Sequence, residues 1–172
     1  MKRFWGGEQM KNSIWLMFLL VFVIILLGCT TQSAQQAAPT KPSEGWTLHI
    51  DAKKHFGEKN PDAIAHHWCK PVSGGLTECQ LYDTDAPDAK LIGVEVIVDA
   101  ATYNKFSTTE KAMWHYHKEE IPKVDAKLPD VSPEEAAKIV KSIEETFGKI
   151  YIIWDPSKSN VPQGKPDVTI LK

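Results

Sequence analysis

Fourteen consecutive apolar residues at positions 14–27 divide this 172-residue chain into a short leader and a polar remainder that must build its own core. The run is shorter than the roughly 20 residues that a helix needs to cross a bilayer. It has the length of the apolar segment of a secretory signal, about 7–15 residues. The sequence Leu26-Leu27-Gly28-Cys29 ends the run with a small residue directly before a cysteine. This arrangement predicts a lipoprotein signal peptide over residues 1–28, with Met10 as an alternative start of translation.

Cys29 is the predicted lipidation site, because its thiol can form a thioether with diacylglycerol. Stable anchoring takes about two buried acyl chains, which a lipoprotein modification supplies. The prediction places the protein in the cell envelope, on the extracytoplasmic side of a membrane, with the membrane as its partner through lipid on Cys29. The alternative is an uncleaved signal anchor in which Cys29 is an ordinary apolar residue.

The rest of the chain divides into a tether and one domain. Residues 29–45 hold the lipidated cysteine and a segment of Ser, Thr, Gln, Ala and Pro with almost no apolar bulk, which cannot order itself by burial. Residues 46–172 have the length of a single domain with one core. The net charge of the whole chain is −2 and no basic stripe is present, so a nucleic-acid partner is not expected.

A cysteine-bearing hairpin is predicted near the start of the domain. Two apolar-rich runs, 63–72 and 76–82, flank the turn signal Ser73-Gly74-Gly75. Cys69 and Cys79 would face each other across it, and an even pair of cysteines in an extracytoplasmic setting favours a disulfide. A pair of thiolate metal ligands is the competing interpretation.

The remaining elements predict an α+β domain with a mainly antiparallel sheet and two principal helices. Residues 91–99 form the clearest strand. A capping box at Ser107 starts a helix that ends by residue 121, before a proline. Ser132 caps a second helix, whose apolar stripe runs to Phe147 and which Gly148 ends. A strand at 149–154 and an edge strand at 167–171 complete the prediction.

Several short blocks of the domain occur in a familiar order. They are His66-His67-Trp68-Cys69, Glu78-Cys79-Gln80-Leu81-Tyr82-Asp83, Leu91-Ile92-Gly93-Val94-Glu95, Trp114-His115-Tyr116-His117 with Glu120, and Gly148-Lys149-Ile150-Tyr151 with Trp154. With these blocks the chain resembles the oil body-associated protein family, a domain-of-unknown-function family, over residues 63–172. The resemblance implies a self-contained domain, and in plants a place at the surface of seed lipid droplets. It supplies no catalytic or binding residues, and the lipid-attachment sequence departs from the plant pattern.

The histidines carry the sharpest chemical hypothesis, a single transition-metal ion. All six lie in the domain, four of them in two tight pairs, with glutamates nearby. The candidate ligands are His66, His67, Glu95, His115, His117 and Glu120. The alternative is that these side chains form a hydrogen-bonded core network without a metal ion.

Local geometry limits which of these residues can meet. Adjacent residues on a strand point to opposite faces, so only one of His66 and His67 can join a given site. If residues 107–121 form a helix, His117 and Glu120 point inward and His115 points away. If that segment is extended, His115 and His117 share a face. Glu95 lies within an apolar strand and is either exposed or buried with a partner.

The leading functional hypothesis is a lipid-anchored, extracytoplasmic binding or envelope-associated module with a metal ion. The alternative is a metal-dependent enzyme that uses Glu95 or Glu120 as a base, and a third is a purely structural protein. An open pocket at the ligands would favour an enzyme, and a closed, dry site would favour a structural role. The sequence leaves open whether the protein is an enzyme and which ligand it takes.

Overall fold

The computed structural model describes residues 41–55 and 60–169. The predicted signal peptide, Cys29 and the tether up to residue 40 lie outside these described residues. Among the described residues, no helix is long and apolar enough to cross a membrane. They form a seven-stranded antiparallel sheet with four short helices, which confirms the predicted α+β class.

The strands are β1 (Leu48–Ala52), β2 (Ala65–Val72), β3 (Leu76–Tyr82), β4 (Leu91–Asp99), β5 (His115–Tyr116), β6 (Thr146–Ile152) and β7 (Asp167–Thr169). The helices are α1 (Ala100–Tyr103), α2 (Thr108–Lys111), α3 (His117–Glu120) and α4 (Pro133–Ile143). The strand order is β1-β2-β3-β4-β6-β5, and β7 also pairs with β6. Strand β4 therefore lies in the interior of the sheet, between β3 and β6.

Strand alternation gives the sheet two chemically different faces. The inner face carries Cys69, Cys79, Glu95 and Ile150, which lie side by side across four strands, and His67, two residues before Cys69. The outer face carries His49 opposite Trp68 and Asp51 opposite His66. The two adjacent histidines of β2 thus serve opposite faces, as strand geometry predicts.

The hydrophobic core lies on the inner face. Its buried residues are Ala65, Cys69, Cys79, Leu81, Ile92, Ile97 and Ile150. Helix α3, the segment that follows it and helix α4 cover this face, because Ile121, Val124, Leu128, Val140 and Ile143 all line the same inner cavity. The covering segment also extends the sheet edge, since Asp51 and Lys127 exchange two backbone hydrogen bonds.

The predicted hairpin is confirmed, and Cys69 and Cys79 form a disulfide across it. Strands β3 and β4 have the predicted bounds, while β2 begins at Ala65 rather than at residue 63. Strand β1 was not predicted, because its alternation of His49 and Asp51 with apolar neighbours is short and carries charge.

The continuous helix predicted from Ser107 to residue 121 is wrong. Ser107 does cap a helix, accepting a hydrogen bond from the Glu110 N–H, but α2 lasts one turn. The chain then extends, and His115 and Tyr116 pair with Gly148 and Phe147 of β6. A second single turn, α3, follows. Sheet pairing and burial of two histidines therefore outweigh the local helical signal.

The predicted end of the second helix is also wrong. Ser132 caps α4 as expected, by accepting from the Glu135 N–H, but the helix ends at Ile143. Phe147 and Gly148 belong to strand β6, which begins at Thr146. Gly148 has no capping role; its missing side chain leaves space for the polar cluster of the inner face.

Candidate functional site

A buried carboxylate on strand β4 organises the candidate site. Glu95 is 5% exposed and pairs in register with Cys79 on one side and Ile150 on the other. A charged group at the centre of a sheet costs several kcal/mol unless it is paired. His115 and His117 provide that pairing at Oε1, and two further histidines, His67 and His55, lie on the side of Oε2.

The first group faces Oε1 of Glu95. Nε2 of His115 and Nε2 of His117 both lie 3.2 Å from this oxygen. Oε2 of Glu120 lies 2.8 Å from Nε2 of His115. Both rings point inward because His115 is in extended backbone and His117 begins the next helical turn.

The second group lies beside Oε2 of Glu95. Nε2 of His67 is 3.7 Å from this oxygen and 3.1 Å from Nε2 of His55. Both rings are almost fully buried. Six side chains, His55, His67, Glu95, His115, His117 and Glu120, therefore form one continuous cluster, here called the Glu95 centre.

The proton positions of three histidines in the Glu95 centre follow from the partners of their Nδ1 atoms, which point away from Glu95. His55 Nδ1 donates to the Lys53 carbonyl at 2.9 Å, and His67 Nδ1 donates to the Ala65 carbonyl at 2.9 Å. His117 Nδ1 donates to Thr146 Oγ1 at 2.8 Å, since that hydroxyl gives its own hydrogen to the Ile143 carbonyl. In the neutral form of each ring, Nε2 is then a bare lone pair directed into the cluster.

Burial keeps two of these rings neutral. It lowers the pKa of His55 to about 3, with a further contribution from His67. Burial also lowers the pKa of His67 below its ordinary value, against the opposing charge of Glu95. At neutral pH the two Nε2 atoms therefore meet at 3.1 Å as two acceptors without a proton between them.

On the other side of the centre, around Oε1 of Glu95, the carboxylate and the His115 ring are held in their charged forms. Burial would raise the pKa of Glu95, but its contacts with His115 and His117 hold it well below the usual range. Burial would lower the pKa of His115, but Glu120 and Glu95 raise it to about 10. The ring is nevertheless poorly aligned with both carboxylates, since neither nitrogen of His115 has a well-formed hydrogen bond in the described structure.

Gly148 makes room for this arrangement. A Cβ at this position would lie 2.2 Å from Glu95 Oε1 and 2.4 Å from His115 Nε2. No side chain fits there without displacing the carboxylate or the ring. The glycine of β6 is thus part of the site although it contributes no functional group.

Two cavities reach the Glu95 centre from different sides. An inner cavity of about 50 Å³ has mainly apolar walls and includes His55, His67, Glu95, His117 and Glu120 in its lining. A polar pocket of about 310 Å³ is lined by His115 and Glu120, together with Trp114, Tyr116 and Lys123. His115 and Glu120 therefore connect the buried cluster to a polar space.

The structure brings together five of the six candidate ligands: His67, Glu95, His115, His117 and Glu120. His66 lies on the outer face, and the expectation that His115 points away is wrong. Sequence reasoning missed His55, which lies in a loop without periodic signal. Its only sequence clue is that it is one of six histidines, all confined to the domain.

The family of the chain follows from its sequence relatives. Residues 40–171 match a family described as "Protein of unknown function (DUF1264)". The chain belongs to this family. The predicted resemblance to oil body-associated proteins is also confirmed by relatives of that name.

Three of these relatives show how far the similarity extends. Oil body-associated protein 2C of Arabidopsis thaliana is 30% identical over 74% of this chain and 54% of its own length. Oil body-associated protein 2B of Zea mays is 30% identical over 84% of this chain and 58% of its own length. Oil body-associated protein 1B of Arabidopsis thaliana is 30% identical over 60% and 44%. The chain spans about half the length of these relatives, and no solved structure matches it.

The close approach at Gly148 can be tested by Gly148→Ala. We expect the free energy of unfolding to fall by about 1–3 kcal/mol, the usual cost of overpacking a well-filled interior, measured by urea denaturation. The histidine ring signals of His115 and His117 in NMR spectra should shift in the same variant. Unchanged stability together with unchanged histidine signals would contradict the contact between β6 and the Glu95 centre.

Proposed function

We propose that this DUF1264 domain is a binding module that holds a divalent transition-metal ion at the Glu95 centre. The observation that supports this most directly is the set of three outward tethers. His55, His67 and His117 each use Nδ1 for a hydrogen bond to the protein, which directs their Nε2 atoms into the cluster around Glu95. Metal-binding histidines are oriented in this way, with the second ring nitrogen fixed by an outer hydrogen bond.

The distances between these atoms suit metal coordination. Bonds from zinc to nitrogen or oxygen are about 2.0–2.2 Å, so two ligands of a tetrahedral ion lie roughly 3.3–3.5 Å apart. The Glu95 Oε1 to Nε2 distances of 3.2 Å and the His55–His67 distance of 3.1 Å are close to that edge length. The ligand atoms of Glu95, His115 and His117 all lie within 4.8 Å of one another, so one ion could contact all three.

Charge balance points the same way. Glu95 and Glu120 are both buried, and burial favours neutral His55 and His67. Without an ion, the proton of His115, whose pKa is about 10, helps to balance the two carboxylates, and a bound cation would replace it. A divalent cation neutralises two carboxylates and is ligated by neutral imidazoles. Histidine and carboxylate ligands suit zinc, iron, manganese and copper, so this donor set indicates a transition metal without selecting one.

A second candidate, a metal-dependent enzyme, is favoured by the polar pocket. This pocket has a volume of about 310 Å³ and is lined by His115 and Glu120, so a small polar substrate could approach an ion from that side. With the ion ligated by Glu95 and histidines, Glu120 is the carboxylate placed to accept a proton from a bound water or substrate.

We also propose a location at a lipid surface. The relatives carry the name of oil bodies, which are lipid-bounded particles, and this chain has its own apolar leader that ends at Cys29. Lipid on Cys29 would hold the domain at the extracytoplasmic side of a membrane. The two settings share a domain placed beside lipid, although the means of attachment differs.

Metal binding is tested by Glu95→Gln in the full-length protein, purified in detergent and dialysed against zinc. We expect Glu95→Gln to lose one equivalent of bound zinc, because it removes the central anionic ligand. Glu119→Gln is the matched control, since Glu119 is exposed beside Glu120 and outside the centre. Mass spectrometry of the metal content gives the result. Equal zinc content in the wild type and Glu95→Gln would contradict the proposal.

The enzyme candidate is tested by adding azide to the cobalt-substituted protein. If the polar pocket gives access to an open coordination position, azide should change the visible spectrum of the bound Co²⁺. A spectrum that does not change up to millimolar azide would support a closed, structural ion and would contradict the enzyme. Glu95→Gln, which should bind no cobalt at this centre, gives the background.

The anchor is tested by Cys29→Ser in the producing cells. We expect the protein to move from the membrane fraction to the soluble fraction, because one cysteine would carry the acyl chains that retain it. Fractionation and immunoblotting give the result. Unchanged membrane retention would instead indicate an uncleaved signal anchor.

A further inference from the structure

A second histidine cluster lies on the outer face of the sheet, on the opposite side from the Glu95 centre. His49 and Asp51 occupy alternate positions of β1, and His66 stands opposite Asp51 on β2. Asp85 reaches the same point from the loop between β3 and β4. One ligand atom from each of these four residues lies within 4.8 Å of all the others.

The ring of His49 is held on two sides. It stacks on Trp68 with 4.4 Å between ring centroids and an interplanar angle of 8°. Its Nδ1 is 3.1 Å from Oδ2 of Asp130, which precedes α4. The side chain is only 2% exposed, so Nε2 is fixed in its direction toward the cluster.

Both ring nitrogens of His49 face carboxylates, which only accept hydrogen bonds. Nδ1 donates to Asp130, so a metal ion would take the place of the second ring proton, on Nε2. That atom lies 3.0 Å from both Asp51 Oδ1 and Asp85 Oδ1. Nδ1 of His66 lies 2.6 Å and 3.2 Å from the same two oxygens, yet it is buried without a well-formed hydrogen bond.

We propose that His49, Asp51, His66 and Asp85 form a second divalent-metal site, independent of the Glu95 centre. Two neutral imidazoles and two carboxylates make a four-ligand set that suits zinc and balances its charge. Asp130 orients the His49 ring from outside the ligand set, as carboxylates do at many histidine–metal sites.

This outer site differs from the Glu95 centre in access. The side chains of Asp85 and Asp130 are about half exposed, 46% and 54%, whereas every member of the Glu95 centre is buried. An ion on the outer face is therefore open to solvent and exchanges with it. It would also join β1 and β2 to the loop that carries Asp85.

The test uses the double variant Asp51→Asn/Asp85→Asn of the full-length protein, which keeps side-chain shape and removes both anionic ligands. Zinc binding is followed by titration in the Glu95→Gln background, where only the outer site should remain. We expect one zinc per chain in that background. Loss of an outer-shell partner typically weakens metal affinity 10–100-fold, and loss of a direct ligand costs more. The affinity for zinc should therefore be at least about 100-fold weaker in the double variant. Asp88→Asn, on the same loop and outside the cluster, is the matched control.

A local readout comes from the stacked tryptophan. Co²⁺ at the outer site should quench the fluorescence of Trp68, and this component should be absent in Trp68→Phe. If the double variant binds zinc and quenches like Asp88→Asn, the outer site is overturned and the cluster is a salt-bridge network of protonated histidines.

Wild-type protein separates the two sites if Glu95→Gln fails to fold. Loss of one zinc in Asp51→Asn/Asp85→Asn, with the circular dichroism of the metal-free protein unchanged, supports the outer site whatever the result at the Glu95 centre. Unchanged zinc content in Asp51→Asn/Asp85→Asn, relative to the wild type, overturns the outer site.

Discussion

The burial of the Glu95 carboxylate constrains the surrounding structure more than any other single contact. A charge in the middle of a sheet must be compensated, and the compensation comes from elements that are distant in sequence. His115 approaches Glu95 only because the chain between α2 and α3 is extended and pairs with β6. Gly148 permits that pairing by having no side chain. His117 is then aimed by Thr146, at the start of the same strand.

The sheet separates two polar clusters, one on each face. On the inner face, four histidines and two glutamates are enclosed by α3, α4 and the segment between them. On the outer face, two histidines and three aspartates lie at the edge formed by β1 and β2. All six histidines of the chain belong to one cluster or the other. The apolar core and the Cys69–Cys79 disulfide separate and fix the strands that carry them.

The sequence predicted the parts of the fold that depend on local pattern. The cysteine hairpin, the β-branched strand 91–99 and both serine caps are encoded within a few residues, and the structure has all of them. It did not predict the extended pair His115–Tyr116, because the pairing partners Gly148 and Phe147 are 33 and 31 residues away and the local signal is helical.

The sequence likewise predicted only part of the candidate site. His67, Glu95, His115, His117 and Glu120 were candidates because they lie in the motif blocks, but the sequence left open which of His66 and His67 faces inward. His55, Asp85 and Asp130 lie in connecting segments without periodicity. Only the tertiary fold brings them to a histidine ring. The exposure of Glu95, left open by its strand, is decided by its partners.

The neighbouring positions of His66 and His67 on β2 have a consequence for folding fidelity. Each ring belongs to a different face, so a slip of one residue in the pairing of β2 would exchange their sides. It would also move Cys69 away from Cys79, and each cluster would receive the histidine ring that belongs to the other face. A misaligned hairpin could then satisfy neither face. Correct alignment of β2 is therefore a condition for assembling either cluster, and a chain with a shifted β2 would lack both.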